Sequence, residues 1–517
     1  MAKVVIDPVT RIEGHLKIEV EVENGVVKDA WSSGTMYRGF EQLIQGKDPR
    51  DAIRITQRVC GVCNTIHGMS SVFAVDDAFG VTVPDNGRII RNLIFASDWL
   101  ADHPLHFYHL AALDYIDIMA VASYAGNDPA LLKVKDKIVS LVKANDTYPL
   151  TPRYEPDAFV IKDPEVVTTA VSHYLQALEM RKLGHEMLAL WGGRAPFYQN
   201  VVVGGVGIRP TVERIAEFTW RFEQLADWLE NTYVADVVAL GTGPLKPIHD
   251  LKVGLGVSNF LGYGAFDEKK SGDIKNRFFR SGTIENLDLK NIKDMDPSKI
   301  TEDVKYSYYK SASGLKPAVG KTDPDPKKAG GAYSFIKSPR YDGKPHEGGP
   351  LARMLMQQDP GFMELAGKIG VWPSAVARHA ARAYETKMLI GQIRVWLDQL
   401  AKNINGEVCD DKALPMDARE GMGITDAPRS ANGHWVSIDK GKVTNYQIVN
   451  ASGWNFGPRD DKGVRGPVEE AIVGAPVPDP TNPTNVVRVV RSFDPCLACS
   501  VHIIEPTTNE ILKFKVT

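Results

Sequence analysis

The chain has 517 residues, 43% hydrophobic and 24% charged, an ordinary globular balance that assures a sizeable buried core and leaves one large unit as open as two or three domains. Its formal net charge of -3 provides no basic footprint of the kind a phosphate backbone demands, which argues against a nucleic-acid partner. Five cysteines in so long a chain do not make a disulfide framework, and no uncharged apolar run of about 18 residues is present to span a membrane.

The opening stretch from Met1 to Asp7 lacks the apolar core of a secretory signal, so the chain is expected to carry no signal peptide of its own. After Asp7-Pro8-Val9-Thr10-Arg11-Ile12-Glu13-Gly14-His15, Leu16, Ile18, Val20 and Val22 alternate with charged residues, Asn24-Gly25 interrupts, and Val26 and Val27 resume. That pattern predicts a half-buried β-hairpin with a tight turn. Gly34-Thr35-Met36-Tyr37-Arg38-Gly39-Phe40-Glu41 follows, and then Arg58-Val59-Cys60-Gly61-Val62-Cys63 with His67. Residues 87 to 125, 165 to 193, 211 to 240 and 374 to 404 carry apolar residues at helical spacing, as in Ile215, Phe218, Phe222, Leu225 and Leu229. Between 241 and 372 the composition shifts to Gly, Pro, Lys and Asp with scattered aromatics such as Phe278, Phe279, Tyr306 and Tyr308, which predicts an ordered irregular layer or a partner-facing surface. Trp435, Val436, Ile438, Gly441, Val443, Tyr446 and Ile448 predict a second hairpin, and no internal repeat is present. The expected fold is mainly α (α+β overall), a central bundle of long helices with small β-hairpins near both termini.

The chemistry lies in two Cys-x-x-Cys pairs, Cys60 with Cys63 and Cys496 with Cys499, each able to grip a soft metal. A zinc knuckle closes a loop of roughly 15–20 residues, whereas here nearly the whole chain intervenes, so its two ends must meet in the folded state. A structural zinc site is one reading and a pair of independent dithiol switches another, though no thioredoxin-like strand and helix flank either pair. Structural zinc needs no ionisable company, yet Arg58, His67, Asp494 and His502 crowd the two pairs. Such groups tune thiolate basicity and move protons.

Both cysteine motifs resemble the signatures of the large subunit of nickel–iron hydrogenases. So do Arg11-Ile12-Glu13-Gly14-His15, Ser338-Pro339-Arg340-Tyr341, Gly349-Pro350-Leu351-Ala352-Arg353, Ala427-Pro428-Arg429 and Gly433-His434-Trp435, in the same order along the chain. The resemblance implies reversible heterolytic cleavage of dihydrogen at a binuclear centre. Cys60 and Cys496 would be terminal nickel ligands, Cys63 and Cys499 would bridge to iron, and carbon monoxide and cyanide would complete the iron. Glu13 would carry protons, Arg429, Asp102 and Asp494 would stand above the metals, and His67, beside the first pair, would be a further catalytic residue. A magnesium ion would take Glu41, His502 and the carbonyl of Ile448.

The same resemblance implies a heterodimer, or a dimer of such heterodimers, with an iron–sulfur small subunit. Electron counting agrees, since a cluster relay needs about four cysteines per cluster and only Cys409 is spare. It further implies a domain covering 1–502, a maturation peptide at 503–517 removed by an endopeptidase, and a periplasmic or membrane-associated location reached through partner subunits, with no membrane span of its own. A zinc-stapled scaffold or interaction protein is the alternative. A quinone-site relative would have lost the thiolates that this chain retains.

Overall fold

The computed structural model describes residues 2–148, 150 and 154–499. Strands β1 (Ala2–Ile6), β2 (Leu16–Glu23) and β3 (Val26–Gly34) form an antiparallel sheet in that order. Leu16, Ile18, Val20 and Val22 point inward, since successive strand residues face opposite sides. Asn24 and Gly25 turn the hairpin with φ of 53° and 74°, the signature of a two-residue turn matched to strand twist. β1 adds a third strand that the sequence did not announce, paired from Ala2 with Val22 to Ile6 with Ile18. Most of β1 is open to solvent, so it carries little apolar alternation.

Six helices position the rest: α1 (Asn64–Phe79), α2 (Asp85–Leu105), α3 (Pro164–Gly192), α4 (Val212–Trp228), α5 (Ala375–Lys402) and α6 (Thr484–Ser492). Their starts are written in the sequence. The Asp163 carboxylate accepts from the backbone N–H groups of Glu165 and Val166, with Pro164 in the first turn, and Thr211 and Ser374 cap α4 and α5 likewise. The predicted helix over 87–125 stops early. Pro104 brings no N–H, and beyond Leu105 the chain passes through a π-helical turn, His106–Ala111, and short 3-10 turns to Ser123. α2 packs against both α3 and α5, and α3 against α4, burying Trp99, Trp191 and Trp396 completely.

A second antiparallel sheet holds β4 (Arg419–Asp426), β5 (Ala431–Asp439) and β6 (Lys442–Val449), with Lys440 and Gly441 turning the β5–β6 hairpin at positive φ. α1 lies directly on β4. A Cβ at Gly423 would stand 2.0 Å from the Ser70 carbonyl oxygen, and one at Gly421 2.0 Å from that of Ala74. These two glycines let the helix touch the strand backbone and so fix the height of Cys63 at its start. Gly423→Ala is therefore expected to destabilise the chain by about 1–3 kcal/mol through overpacking, read as a lower unfolding midpoint.

The stretch 241–372 is an ordered irregular layer. It contains short antiparallel pairs, Phe260–Gly262 with Gly282–Ile284, Ala265–Asp267 with Arg277–Phe279, and Ile300–Asp303 with Ser338–Tyr341. Phe260, Phe279 and Tyr309 are buried within it. No described helix is long and apolar enough to cross a membrane.

Candidate metal centre

Residues from both chain ends converge beneath α1. A short turn, Gln57–Val59, delivers Cys60 in extended conformation, and Cys63 caps α1. The Cys60 sulfur accepts from the N–H groups of Val62 (3.3 Å) and Cys63 (3.2 Å), so a thiolate there gains backbone donors at a helix start. From the other end, α6 runs out through Phe493 and Asp494, whose φ of 56° turns the chain back toward the N-terminal loop. Glu13 and Cys496 then pair as in a parallel ladder: Glu13 N–H donates to Pro495 O at 3.2 Å, and Leu497 N–H to Glu13 O at 2.6 Å. Gly14 makes this possible. Its φ is +84°, and a Cβ would come within 2.2 Å of the Ala498 nitrogen.

A buried ionic cluster ties the same two ends together. Arg491 of α6 grips both carboxylate oxygens of Asp114 at 2.6 and 2.7 Å and donates to Thr10 O, while Arg11 pairs with Asp114. Burial works against the Asp114 carboxylate, but the two guanidinium groups outweigh it and hold its pKa below the usual value. Arg38 adds a staple, donating to Val59 O (2.7 Å), Arg58 O (2.9 Å) and Ala498 O (3.4 Å).

The result is a cluster of sulfur. Cys496 Sγ lies 3.1 Å from Cys60 Sγ and 3.2 Å from Cys63 Sγ, and all three residues sit inside the largest apolar core. Thiolates this close repel one another in a dry core unless a cation lies among them, and soft sulfur donors suit nickel. The side chain of Cys499 and all of His502 lie outside the described residues, as does the stretch 503–517.

Around the sulfurs stands a shell of charge. Arg429 contacts Asp102 through Nη1 at 2.7 Å and Nη2 at 3.2 Å, and Asp494 through Nε at 3.1 Å. Burial opposes the guanidinium charge, yet Asp102, Asp494 and the thiolates of Cys496 and Cys63 more than offset it and hold its pKa well above the ordinary range. Burial and the Cys60 thiolate push the Glu13 carboxyl up to about 7, against the pull of Arg429 and Arg38. His67 is buried and neutral, its pKa drawn down to about 4 by desolvation. Its Nδ1 meets His434 Nε2 at 3.1 Å, and His434 Nδ1 meets the Tyr446 hydroxyl at 2.7 Å. His67 Nε2 has no hydrogen-bond partner among the described residues.

Arg58 departs from the expectation that it crowds the thiols. It turns to solvent and stacks over Phe197 at 4.0 Å. Arg38 and Ser452, whose Oγ accepts from Cys496 N–H at 2.9 Å, take part although their sequence contexts gave no chemical cue. Glu41 and Ile448 do come together: Ile448 N–H donates to Glu41 Oε1 at 3.2 Å beside a small cavity of about 30 Å³ also lined by Glu302, Lys337 and Asn450. His103 pairs with Glu385, and His106 and His109 are engaged by the carbonyl oxygens of Arg491 and Tyr174. Cys409 is half-buried against Val203 O and touches none of this.

The family described as nickel-dependent hydrogenase matches residues 38–502, and one described as HoxL-like matches residues 3–32. The chain belongs to the nickel-dependent hydrogenase family. It is 42% identical to the periplasmic [NiFeSe] hydrogenase large subunit of Desulfomicrobium baculatum, over 98% of this chain and 96% of that one. To the hydrogenase-2 large chain of Escherichia coli K12 it is 35% identical, over 99% of both. The solved structure of the Ni-Fe-Se hydrogenase of Desulfovibrio vulgaris Hildenborough in the reduced state superposes with a TM-score of 0.85 at 44% identity, covering 97% of this chain and 100% of that one. This nickel-dependent hydrogenase is a large, catalytic subunit that cleaves dihydrogen reversibly into protons and electrons. Its sulfur cluster is compatible with a nickel–iron centre, and the zinc-scaffold alternative is not favoured.

Proposed function

We propose that Cys60, Cys63, Cys496 and Cys499 hold the nickel, that Cys63 and Cys499 bridge to the iron, and that carbon monoxide and cyanide complete the iron shell. The observation that supports this most is the meeting of Cys60, Cys63 and Cys496 at 3.1–3.2 Å from opposite chain ends beneath a buried arginine. The bound centre would supply a soft, redox-active Lewis acid at which dihydrogen is polarised. All four ligand positions are cysteine, so the donor set is sulfur throughout, although two of the relatives' names include selenium.

The chain's own residues do the rest. Arg429 presents a fixed positive charge over Cys496 and Cys63 in a dry pocket, where it stabilises negative charge at low reorganisation cost. Asp102 and Asp494 hold its planar fork at one orientation. Glu13, facing both Cys60 and Arg429, takes up a proton and passes it outward, while His67 stays neutral and steadies the first cysteine pair. Arg429→Lys keeps the charge and loses the fork. It is expected to retain nickel and iron while dihydrogen oxidation falls by about 10²-fold, measured by metal content and dihydrogen-dependent dye reduction.

A magnesium ion is proposed at the cavity beside Glu41 and the Ile448 carbonyl, with His502 as third ligand and waters completing the shell. The electrons leave to a small-subunit partner, proposed to carry the iron–sulfur clusters, in a heterodimer or a dimer of heterodimers. Gly61, one residue from Cys60, is exposed. We read the long helices as a central bundle, residues 1–502 as one domain, and the location as periplasmic or membrane-associated through partners, in keeping with the periplasmic relative.

The tail 503–517 is proposed as a maturation peptide cut by an endopeptidase after His502, where the family match ends. The intact mass of the active, nickel-loaded chain is expected to end at His502, and a chain extending to Thr517 would refute this. The centre itself is tested by infrared absorption of the purified complex in the region of metal-bound carbon monoxide and cyanide, with nickel and iron analysis. Zinc alone, without those bands, would sink the assignment.

A further inference from the structure

Asp98 lies one helical turn before Asp102 on α2, so the two carboxyl groups share a face. Both are buried, at 4% and 2% exposure. The positive charge available to them is short. Arg429 is divided between Asp102 and Asp494, and Arg181 of α3 is partly exposed, with Nη1 3.8 Å from Asp102. Arg382 serves Asp494 as well, so the carboxyl groups of Asp98 and Asp102 are left with a share of one buried guanidinium, Arg429, and the distant Arg181.

The other groups around Asp98 bring no further cation. α1 offers the Thr65 hydroxyl, the segment after α3 the Tyr198 phenol, and α3 also His185, whose pKa is lowered by burial and Arg181. On α5, Glu385 engages His103 and Arg353, and Arg382 faces Asp494 and Tyr233. Asp98 Oδ2 has no hydrogen-bond partner among the described residues. An anionic oxygen left bare in the core is far costlier than a neutral acid in the same place.

We propose that Asp98 is a neutral carboxylic acid in the working protein, one turn behind Asp102, and that this leaves the Arg429 guanidinium to Asp102 and Asp494 without a third competing anion. The inference rests on the reading of Arg429 as the charge above the metal centre. Burial and the Asp102 charge together raise the Asp98 carboxyl to about 8, in accord with the geometry. Asp98 is a positioning residue that acts through Asp102. When it ionises, a second negative charge falls beside Asp102 and competes for the same guanidinium, so the orientation of Arg429 over Cys496 and Cys63 becomes pH-dependent.

The test is infrared difference spectroscopy of the purified large–small subunit complex, wild type against Asp98→Asn, with exchange into heavy water to identify the C=O stretch of a protonated carboxylic acid. The expected result is a band present in the wild type at neutral pH, missing from Asp98→Asn, and lost from the wild type as pH rises through about 8. In parallel, the alkaline decline of dihydrogen-dependent dye reduction is expected to flatten in Asp98→Asn, where no charge can appear beside Asp102. A difference spectrum without the band overturns the proposal, as does a band that survives in Asp98→Asn and vanishes in Asp102→Asn. Should Asp98→Asn fail to accumulate, Asp98→Ser removes the same carboxyl and is read the same way. The spectrum reports the proton whether or not the metals are loaded, so its failure is distinct from failure of the centre, which metal content reports.

Discussion

Cys496→Ser is expected to give a folded protein with neither a normal nickel–iron content nor measurable dihydrogen uptake. The substitution is nearly isosteric, and the backbone at Cys496 is held by bonds that do not use its sulfur: its N–H donates to Ser452 Oγ, and the neighbouring ladder runs through Pro495, Glu13 and Leu497. The fold should therefore survive. What changes is the donor. Cys496 Sγ is the common neighbour of Cys60 Sγ at 3.1 Å and Cys63 Sγ at 3.2 Å, and replacing it with a hard hydroxyl that stays protonated at neutral pH removes both the negative charge and the softness that select nickel. Cys60→Ser and Cys63→Ser are expected to fail in the same way, and so is Cys499→Ser if all four thiols act together. Elemental analysis alongside dye reduction decides the matter: a serine variant with full nickel content and activity would refute the ligand assignment.

Why the centre was legible in the sequence at all comes down to the scarcity of cysteine. Four of five cysteines fall in two Cys-x-x-Cys pairs at opposite ends, a spacing that makes sense only if the ends meet. The structure brings Cys60, Cys63 and Cys496 together, with Arg429, Asp102 and Asp494 in mutual contact beside them. What the sequence concealed was direction. Arg58 is adjacent to the motif yet stacks outward on Phe197, whereas Arg38, twenty residues upstream, reaches back to the carbonyls of Arg58, Val59 and Ala498. Proximity in sequence says nothing about which way an extended backbone turns its side chain.

The fold was legible where periodicity was strong and opaque where close approach replaced it. β2 alternates cleanly because one face is core, and the caps at Asp163, Thr211 and Ser374 mark helix starts through their side-chain oxygens. β4 carries no clear strand signal in the sequence, because Gly421 and Gly423 interrupt its pattern. They are glycine because α1 lies against the strand backbone at that point, a tertiary demand that no local propensity reports. The break in the helix after Leu105 was signalled only by Pro104, and the π-helical turn beyond it keeps a spacing close enough to helical to mask the change. Asp98 and Asp102 stand one turn apart in plain view, but their shortage of cations becomes visible only when α3 and the loop after β4 close over them.

Glu13→Gln is expected to separate proton movement from assembly, keeping nickel and iron while lowering turnover by about 10²–10⁴-fold. The loop that carries Glu13 is fastened through its backbone, by Glu13 N–H to Pro495 O and Leu497 N–H to Glu13 O, and Gly14 permits the close approach to Ala498. None of these contacts involves the carboxyl, so an amide of the same shape leaves the cysteine ladder in place. The side chain is partly buried between the fields of Cys60 and Arg429, one disfavouring its charge and the other favouring it, which is the balance a group must have to take up and release a proton. An amide has the size and the hydrogen-bonding oxygen but cannot make that exchange. Turnover measured by dye reduction should therefore collapse while elemental analysis and the metal-ligand infrared bands stay unchanged. Loss of the metals instead would make Glu13 a structural residue, and retention of full turnover would mean that protons leave the centre by another route.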